Sequence, residues 1–390
     1  MSSSVGAPCP PILPSKYDSL IPHIPSINKE CAHTWPALKS WDLGYFSRHI
    51  SEPLRFRLIE KSFPHIQWEN ACNYVYATID EFTAWLNGGM IHSPFEKYSP
   101  DLWTAYADYT YIDRHEGLRV LKSDFDWSTC LPDLNPFDGT TFWLASSGAY
   151  TPCHYDTYGI NLVAQIFGRK RWVLFSPNDS VYLYPTRIPL EESTVYSQIN
   201  MLSPDFKLHS LFHNATPLET ILEPGDCLLI PRHWWHFVQS YGDEPTCSIN
   251  LWLDQPIYDQ EERLGEALTQ ILAYSLSRSM LDFDFDPLEH LNEKEQDNFL
   301  SDDCFPTLLN STGQIIRSIH MKKTSESESG SAKEYRLSGW QSVGKRAICD
   351  VFPSHGVSNT ALSETPLTVK LLRAFTHPDV IYAVRKHILG

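Results

Sequence analysis

Three side chains in two short segments of this sequence could hold a metal ion. His154 and Asp156 lie in the segment 151–156, and His236 ends the segment 231–236. Residues i and i+2 of a β-strand point to the same side, so His154 and Asp156 can reach one ion while the residue between them faces away. Two imidazoles and one carboxylate leave the opposite face of the metal open, which is the ligand arrangement of non-haem Fe(II) oxygenases. A His-x-Asp triplet also arises by chance as a structural pair, so the surrounding elements must decide.

The composition is that of a folded globular protein and disfavours nucleic acid as the main partner. The chain has 390 residues, of which 42% are hydrophobic and 13% aromatic, enough for a substantial core. Its formal net charge of -16 opposes binding to a phosphate backbone, which needs an excess of Lys and Arg. The nine cysteines are scattered without a Cys-x-x-Cys. This pattern favours reduced thiols over a disulfide framework or a Cys-x-x-Cys zinc module.

We expect a cytoplasmic protein, with the nucleus as the alternative compartment, because reduced thiols suit both. The first residues lack the charged and apolar regions of a signal peptide, and no apolar run is long enough to span a bilayer. We therefore expect no membrane partner.

Helical patterns flank the central part of the chain. Apolar spacing predicts helical structure over 35–46 and a short helix that begins after Thr78 and ends near 87–89. Thr78 and Glu81 have the spacing of a capping box. Beyond residue 256 the period becomes helical again, and we predict a helix over 259–278.

From about residue 103 to 252, short apolar runs alternate with Gly and Pro turns, as is typical of strands. We expect the runs 161–167 and 171–175 to pair as a hairpin around Gly168. Many short strands of this kind predict a mostly β fold with flanking helices (α+β), arranged as a barrel or sandwich.

Together these residues resemble the JmjC family of Fe(II)- and 2-oxoglutarate-dependent oxygenases over roughly residues 30–255. The resemblance lies in Trp-Pro-Ala at 35–37, Thr-Pro-x-His-x-Asp at 151–156, Asn161, Gln165, Gly168, Lys170, Pro-Gly-Asp at 224–226, Ile-Pro at 230–231, Trp-Trp-His at 234–236 and Ile-Asn-x-Trp at 249–252. It implies a double-stranded β-helix, the JmjC or cupin-like jelly roll, with N-terminal helices and a C-terminal helical extension.

The resemblance also implies roles for individual residues. His154, Asp156 and His236 would bind Fe(II) and form the catalytic centre. Lys170 would pair with the distal carboxylate of 2-oxoglutarate, and Thr151 would donate a hydrogen bond to the same carboxylate.

Three weaker assignments complete the cosubstrate site. Tyr106 would bind the distal carboxylate from an earlier strand, although Tyr109 and Tyr111 are alternatives for the inward residue. Asn161 and Asn250 would lie beside the iron-chelating end of 2-oxoglutarate, or would only satisfy backbone groups at the barrel ends.

Two ligand assignments depend on register. His233 lies three residues before His236, and in an extended strand the two face opposite sides, so only one can bind. Lys170 lies between Arg169 and Arg171, and a slip of one residue would change which of the three points inward.

The patterns and the resemblance divide the chain into five parts. These are a flexible lead (1–20), a JmjC-type oxygenase domain (21–255, barrel core about 100–255), a helical extension (256–320), a Ser/Glu-rich linker (321–340) and a C-terminal helical tail (341–390).

The resemblance implies an Fe(II)/2-oxoglutarate-dependent dioxygenase that uses O₂. Asp rather than Glu in the His-x-Asp position is similar to the hydroxylases of the family, so a protein side chain is the expected substrate class. Further strings at 105–109, 161–163, 168–172 and 184–189 are similar to a branch associated with a small heat shock protein. This implies a second hypothesis, in which the chain binds and regulates such a partner in a stress response, with or without catalysis.

Overall fold

The computed structural model describes residues 23–62, 66–68, 72–89, 92–131, 139–188, 193–255, 258–279, 304–325, 339–352, 371 and 373–389. In these residues the strands are β1 (Ser26–Asn28), β2 (Leu54–Glu60), β3 (Asn73–Ala77), β4 (Trp103–Tyr111), β5 (Thr141–Ala145), β6 (Tyr150–Asp156), β7 (Ile160–Phe167), β8 (Arg169–Phe175), β9 (Pro185–Thr186), β10 (Thr194–Ser197), β11 (Leu218–Leu222), β12 (Cys227–Ile230), β13 (Trp235–Tyr241), β14 (Thr246–Leu253) and β15 (Gln341–Ser342). The α-helices of the same residues are α1 (Ala37–Ser40), α2 (Leu43–His49), α3 (Ile79–Leu86), α4 (Gln260–Ser279), α5 (Cys304–Ser325), α6 (Ile348–Val351) and α7 (Pro378–Leu389). Short 3-10 helices cover Glu116–Asp124, Trp127–Thr129, Pro177–Leu183 and Ser210–Asn214.

The strands form two antiparallel sheets. One has the order β15-β1-β12-β7-β14-β5-β4-β2-β3 and the other the order β11-β8-β13-β6-β10-β9. Apolar side chains of both sheets, among them Val163 and Leu228 of the first and Leu174 and Leu222 of the second, pack in one buried cluster. The sheets therefore enclose a shared interior, and the prediction of a mostly β jelly roll with flanking helices is confirmed.

The predicted hairpin around Gly168 is wrong. Strand β7 pairs with β12 and β14, whereas β8 pairs with β11 and β13 in the other sheet. Gly168 has a φ of 64° and turns the chain from one sheet into the other. A Cβ at this position would overlap the carbonyl oxygen of Pro245, so only glycine fits. The alternation of apolar and polar residues predicts a strand, but it does not identify the strand with which it pairs.

The helices follow the sequence patterns closely. Thr78 Oγ1 accepts a hydrogen bond from the Glu81 backbone N–H at 3.2 Å, and the Thr78 N–H donates to the Glu81 carboxylate at 2.8 Å. This is the predicted capping box. The pattern over 35–46 resolves into α1 and α2, because Asp42 caps a new helix by accepting from the Tyr45 N–H at 2.6 Å. Helix α4 lies within one residue of its predicted bounds.

Part of the segment predicted as a C-terminal tail lies against the barrel. Strand β15 pairs with β1, and Val351 and Phe352 pack into the buried cluster behind the second sheet. Residues 321–325, predicted as linker, continue α5. The flexible lead 1–20 and the linker residues 326–338 lie outside the described residues, and the five-part division of the chain stays a prediction. None of the described helices has the length and apolar character needed to cross a membrane.

Candidate functional site

Strands β6 and β13 bring the three predicted metal ligands together. They are antiparallel neighbours in which His154 lies directly opposite His236, and the two imidazole centroids are 4.2 Å apart. Asp156 follows two residues after His154 on the same side of β6, with its Oδ1 3.9 Å from His154 Nε2. One ligand atom from each of the three residues lies within 4.8 Å of the others.

Backbone carbonyls fix which imidazole nitrogens face the centre of this group. His154 Nδ1 lies 2.8 Å from the carbonyl oxygen of Pro152, and His236 Nδ1 lies 3.0 Å from that of Trp234. A carbonyl can only accept, so each Nδ1 carries a proton, and in the neutral form of each ring the lone pair is on Nε2. This hydrogen bond to the ring nitrogen away from the metal is the usual arrangement of metal-binding histidines.

Burial gives the group a charge preference that a cation would satisfy. It lowers the pKa of His154 well below its ordinary value, which keeps the imidazole neutral. Burial also raises the pKa of Asp156, because its carboxylate loses water, while His236 and hydrogen bonds from Trp252 and Asn161 partly oppose this. A divalent ion would offset the negative charge of this partly buried carboxylate. The residues therefore fit a metal held by two imidazole nitrogens and one carboxylate oxygen.

The group lies in the wall of a cavity of about 290 Å³ between the two sheets. Its lining includes the predicted cosubstrate residues Thr151, Lys170 and Tyr106. The indole N–H of Trp172, another lining residue, has no hydrogen-bond partner in the described part of the chain. A buried donor left unpaired costs free energy, so it favours a ligand with acceptor oxygens.

Lys170 is the inward residue of its basic run. Its side chain is 2% exposed and donates to Tyr106 Oη at 3.1 Å and to Ser248 Oγ at 2.8 Å. Burial lowers the pKa of Lys170 to about 7. Arg169 and Arg171 are instead directed to the acidic side chains of β11 and the turn after it, as expected for the outer face. The described residues include no carboxylate ion-paired with Lys170, so a ligand carboxylate fits here.

Asn161 and Asn250, which were predicted to lie beside the cosubstrate, contact each other. Asn250 Nδ2 donates to Asn161 Oδ1 at 2.9 Å, and its own Oδ1 accepts from the indole of Trp143 at 2.7 Å. Tyr109 packs against Trp143, with ring centroids 5.0 Å apart. Tyr109 and Tyr111 line the cavity too, but it is Tyr106 that contacts Lys170.

His233 lies outside the His154–Asp156–His236 group, but not for the predicted reason. Strand β13 begins only at Trp235, and His233 lies before it with a φ of 65°. Its Nε2 is 2.8 Å from the carbonyl oxygen of Thr157, and its ring packs against Tyr155. A left-handed turn, not strand alternation, separates the two histidines.

Two polar contacts of strand β14 were not predicted from the sequence. Ser248 accepts from Lys170, and the Trp252 indole N–H donates to Asp156 Oδ2 at 3.2 Å. Ser248, Asn250 and Trp252 alternate along the strand, so once Asn250 faces the cavity its i−2 and i+2 neighbours must face it as well. This period-two signal was present in the sequence.

Comparison with known proteins identifies the family of this chain. A family described as a cupin-like domain matches residues 18–259. The chain is similar to HSPB1-associated protein 1 of Homo sapiens, with 42% identity over 273 residues that cover 68% of this chain and 55% of that protein. It is also similar to HSPB1-associated protein 1 homolog of Danio rerio, with 39% identity over 260 residues that cover 65% of this chain and 57% of that protein. A third similar protein is Jumonji C domain-containing protein 5 of Drosophila melanogaster, with 36% identity over 226 residues that cover 56% of this chain and 51% of that protein. The chain spans little more than half the length of these relatives. It belongs to the family of JmjC proteins with a cupin-like domain, in which it lies close to HSPB1-associated protein 1.

Proposed function

We propose that this chain is an Fe(II)- and 2-oxoglutarate-dependent oxygenase. One observation carries the proposal: the cavity has a His154–Asp156–His236 group in its wall and a buried, carboxylate-free Lys170 in the same lining. The first feature suits a divalent metal. The second suits the far carboxylate of a short dicarboxylic acid, whose other end would reach the metal.

The side chains of the cavity would each have one task. When bound, Fe(II), 2-oxoglutarate and O₂ supply the oxidising power for C–H hydroxylation, with 2-oxoglutarate leaving as succinate and CO₂. The Nε2 atoms of His154 and His236 and the carboxylate of Asp156 would hold the metal on one side only. Lys170, with Tyr106 beside it and Thr151 in the same lining, would hold the distal carboxylate. Many of the lining side chains are buried, and the low dielectric around them would strengthen both electrostatic contacts.

Metal and cosubstrate binding can be tested without knowing the substrate. Anaerobic titration of the full chain with Fe(II) and then 2-oxoglutarate should give a metal-to-cosubstrate charge-transfer band, and succinate should form when O₂ is admitted. The variant H154A/D156A should lose the band and the succinate. The variant H213A, which removes an exposed histidine, is the matched control and should keep both. Absence of the band in folded protein would overturn the proposal.

We propose a protein side chain as the hydroxylated group. Asp156, rather than a glutamate, in the His-x-Asp position supports this choice within the family. Incubation of peptide libraries with the loaded protein and ¹⁸O₂, followed by mass spectrometry, should give products heavier by one labelled oxygen atom. Hydroxylation of free amino acids or nucleosides but of no peptide would exclude this substrate class.

The second candidate function is association with a small heat shock protein in the cytoplasm as part of a stress response. It is favoured by the 42% identity to HSPB1-associated protein 1. Since the chain covers 55% of that relative, the whole relative's partner is only a proposal for this chain. Capture of a recombinant small heat shock protein by the full chain and by H154A/D156A would separate the functions. Equal capture by both would make binding independent of the metal site, and no capture by either would exclude this candidate.

A further inference from the structure

Three buried thiols form a second cluster away from the His-Asp-His group. Cys31, Cys130 and Cys227 have all their Sγ atoms within 4.8 Å of one another, and the Sγ atoms of Cys130 and Cys227 are 3.5 Å apart. The exposed fractions of the three side chains are 8%, 4% and 0%. No pair of them is close together in sequence, so only the folded chain assembles the cluster.

The cluster lies on the opposite face of the nine-stranded sheet from the cavity. Along β12, Cys227 and Leu229 pack into the core shared with the N-terminal helices. Their neighbours Leu228 and Ile230 pack into the inter-sheet core, to which the cavity-lining Val163 also belongs. Strand alternation therefore separates the thiols from the proposed active site.

Contacts that do not involve sulfur hold the three segments in place. Asn28 pairs with Cys227 across β1 and β12, and its side-chain oxygen accepts from the Cys31 N–H at 3.1 Å. Trp35 Nε1 donates to Thr129 Oγ1 at 2.9 Å, which places the residue before Cys130. The positions of the thiols are thus set by the fold, as in a preorganised ligand set.

We propose that Cys31, Cys130 and Cys227 bind a thiophilic divalent ion of the Zn²⁺ type. Zn–S bonds of about 2.3 Å in tetrahedral geometry put the sulfurs about 3.8 Å apart, which falls between the 3.5 Å contact and the 4.8 Å limit. Three thiolates around a divalent ion leave a single net negative charge, whereas a monovalent ion would leave two. The divalent ion is therefore less costly to bury in an apolar core.

A three-thiolate zinc site leaves a fourth coordination position. His33 follows two residues after Cys31, and its ring packs against Gly225, two residues before Cys227. It is exposed and lies outside the group of three thiols. His33 is accordingly the candidate for a fourth ligand that closes over the ion, and water is the alternative.

Cobalt distinguishes the two metal sites, because only thiolate ligands give an intense near-ultraviolet sulfur-to-cobalt charge-transfer band. The test uses the full, reduced chain carrying H154A/H236A, which disables the first group. We expect one equivalent of Co²⁺ to bind with this band and Zn²⁺ to displace it. Adding C31S should abolish the band, whereas adding C153A, which removes a buried thiol outside the cluster, should leave it.

A readout on the unmodified cysteines guards against misfolding of C31S. Native mass spectrometry of H154A/H236A after Zn²⁺ loading should show one retained zinc ion, and that ion should be released by a mercurial that titrates thiols. A folded protein that shows neither the cobalt band nor a retained zinc ion would overturn the proposal. So would a band that survives C31S and is lost in C153A. Neither result would affect the oxygenase proposal, which is tested on the other metal site.

Discussion

The affinity for 2-oxoglutarate should fall as pH rises, because Lys170 must be charged to bind a carboxylate. Burial lowers the pKa of Lys170 to about 7 in the free protein. A carboxylate placed beside the ammonium group favours its charged form and raises that pKa again. Binding near neutral pH therefore takes up a proton, and the apparent affinity follows the charged fraction of the free protein.

The size of the effect follows from that pKa. With a pKa of about 7, the charged fraction of Lys170 is about three quarters at about pH 6.5 and about one thirtieth at about pH 8.5. The dissociation constant should rise about 25-fold over this interval, or about 2 kcal/mol. Calorimetric titration of Mn²⁺-saturated protein measures this, and buffers of different ionisation enthalpy should reveal uptake of nearly one proton per ligand at the higher pH. Metal binding has the opposite sign, because its ligands must be deprotonated, so loss of metal cannot mimic the result.

The variant K170M is the control. It should bind 2-oxoglutarate weakly and without pH dependence.

The K170M variant should also unfold less readily at pH 7. The pKa of Lys170 in the folded protein lies below its value in the unfolded chain. The stability cost of burying this amine is therefore absent above the unfolded pKa of 10.5 and fully present below about 7. Removing the amine should therefore stabilise the folded protein by about 4–5 kcal/mol. Loss of the hydrogen bonds to Tyr106 and Ser248 should offset about 2 kcal/mol of this gain. Equal wild-type affinity at the two pH values, or a K170M variant that keeps the wild-type slope, would refute the reasoning.

Three further substitutions test other contacts. W252F removes the N–H that donates to the Asp156 carboxylate at 3.2 Å and should weaken Mn²⁺ binding about 10- to 100-fold; unchanged affinity in a competition titration would contradict this role. G168A adds a Cβ that overlaps a neighbouring backbone oxygen at a φ of 64° and should lower the free energy of unfolding by about 2–4 kcal/mol, as measured in urea; a loss below about 1 kcal/mol would show that the turn can relax. E266Q removes the negative charge that pairs with buried Arg187 at 2.6 Å and should lower the free energy of unfolding by about 3–5 kcal/mol; a normal urea midpoint would mean that water reaches the pair.

Much of the candidate site could be predicted because it depends on local rules. Strand alternation puts His154 and Asp156 on one side, and the family pattern supplies His236 and Lys170, each of which the structure places at the cavity. The i, i+3 spacing of Thr78 and Glu81 was enough to predict a capping box for the same reason.

The rest depends on contacts that no local pattern contains. The runs on either side of Gly168 have the alternation of a hairpin, yet they enter different sheets, because sheet membership is decided by packing against distant strands. The cysteine cluster joins residues 31, 130 and 227, a spacing that matches no metal motif. His233 and His236 were predicted to face opposite sides of one strand, but His233 precedes the strand and has a φ of 65°.

The cavity contains a partly buried carboxylate and a buried amine, and each destabilises the free protein because its charged form has lost water. Burial raises the pKa of Asp156 and lowers that of Lys170, so each is held in an environment that opposes its charged form. They do not pair with each other: Asp156 is held by Trp252, while Lys170 is held by Tyr106 and Ser248. A fold selected only for stability would replace both with apolar side chains. Because the two groups do not pair, Asp156 lacks a neighbouring cation and Lys170 lacks a neighbouring anion. A metal ion chelated by one end of a dicarboxylic acid, with the other carboxylate at Lys170, would provide both.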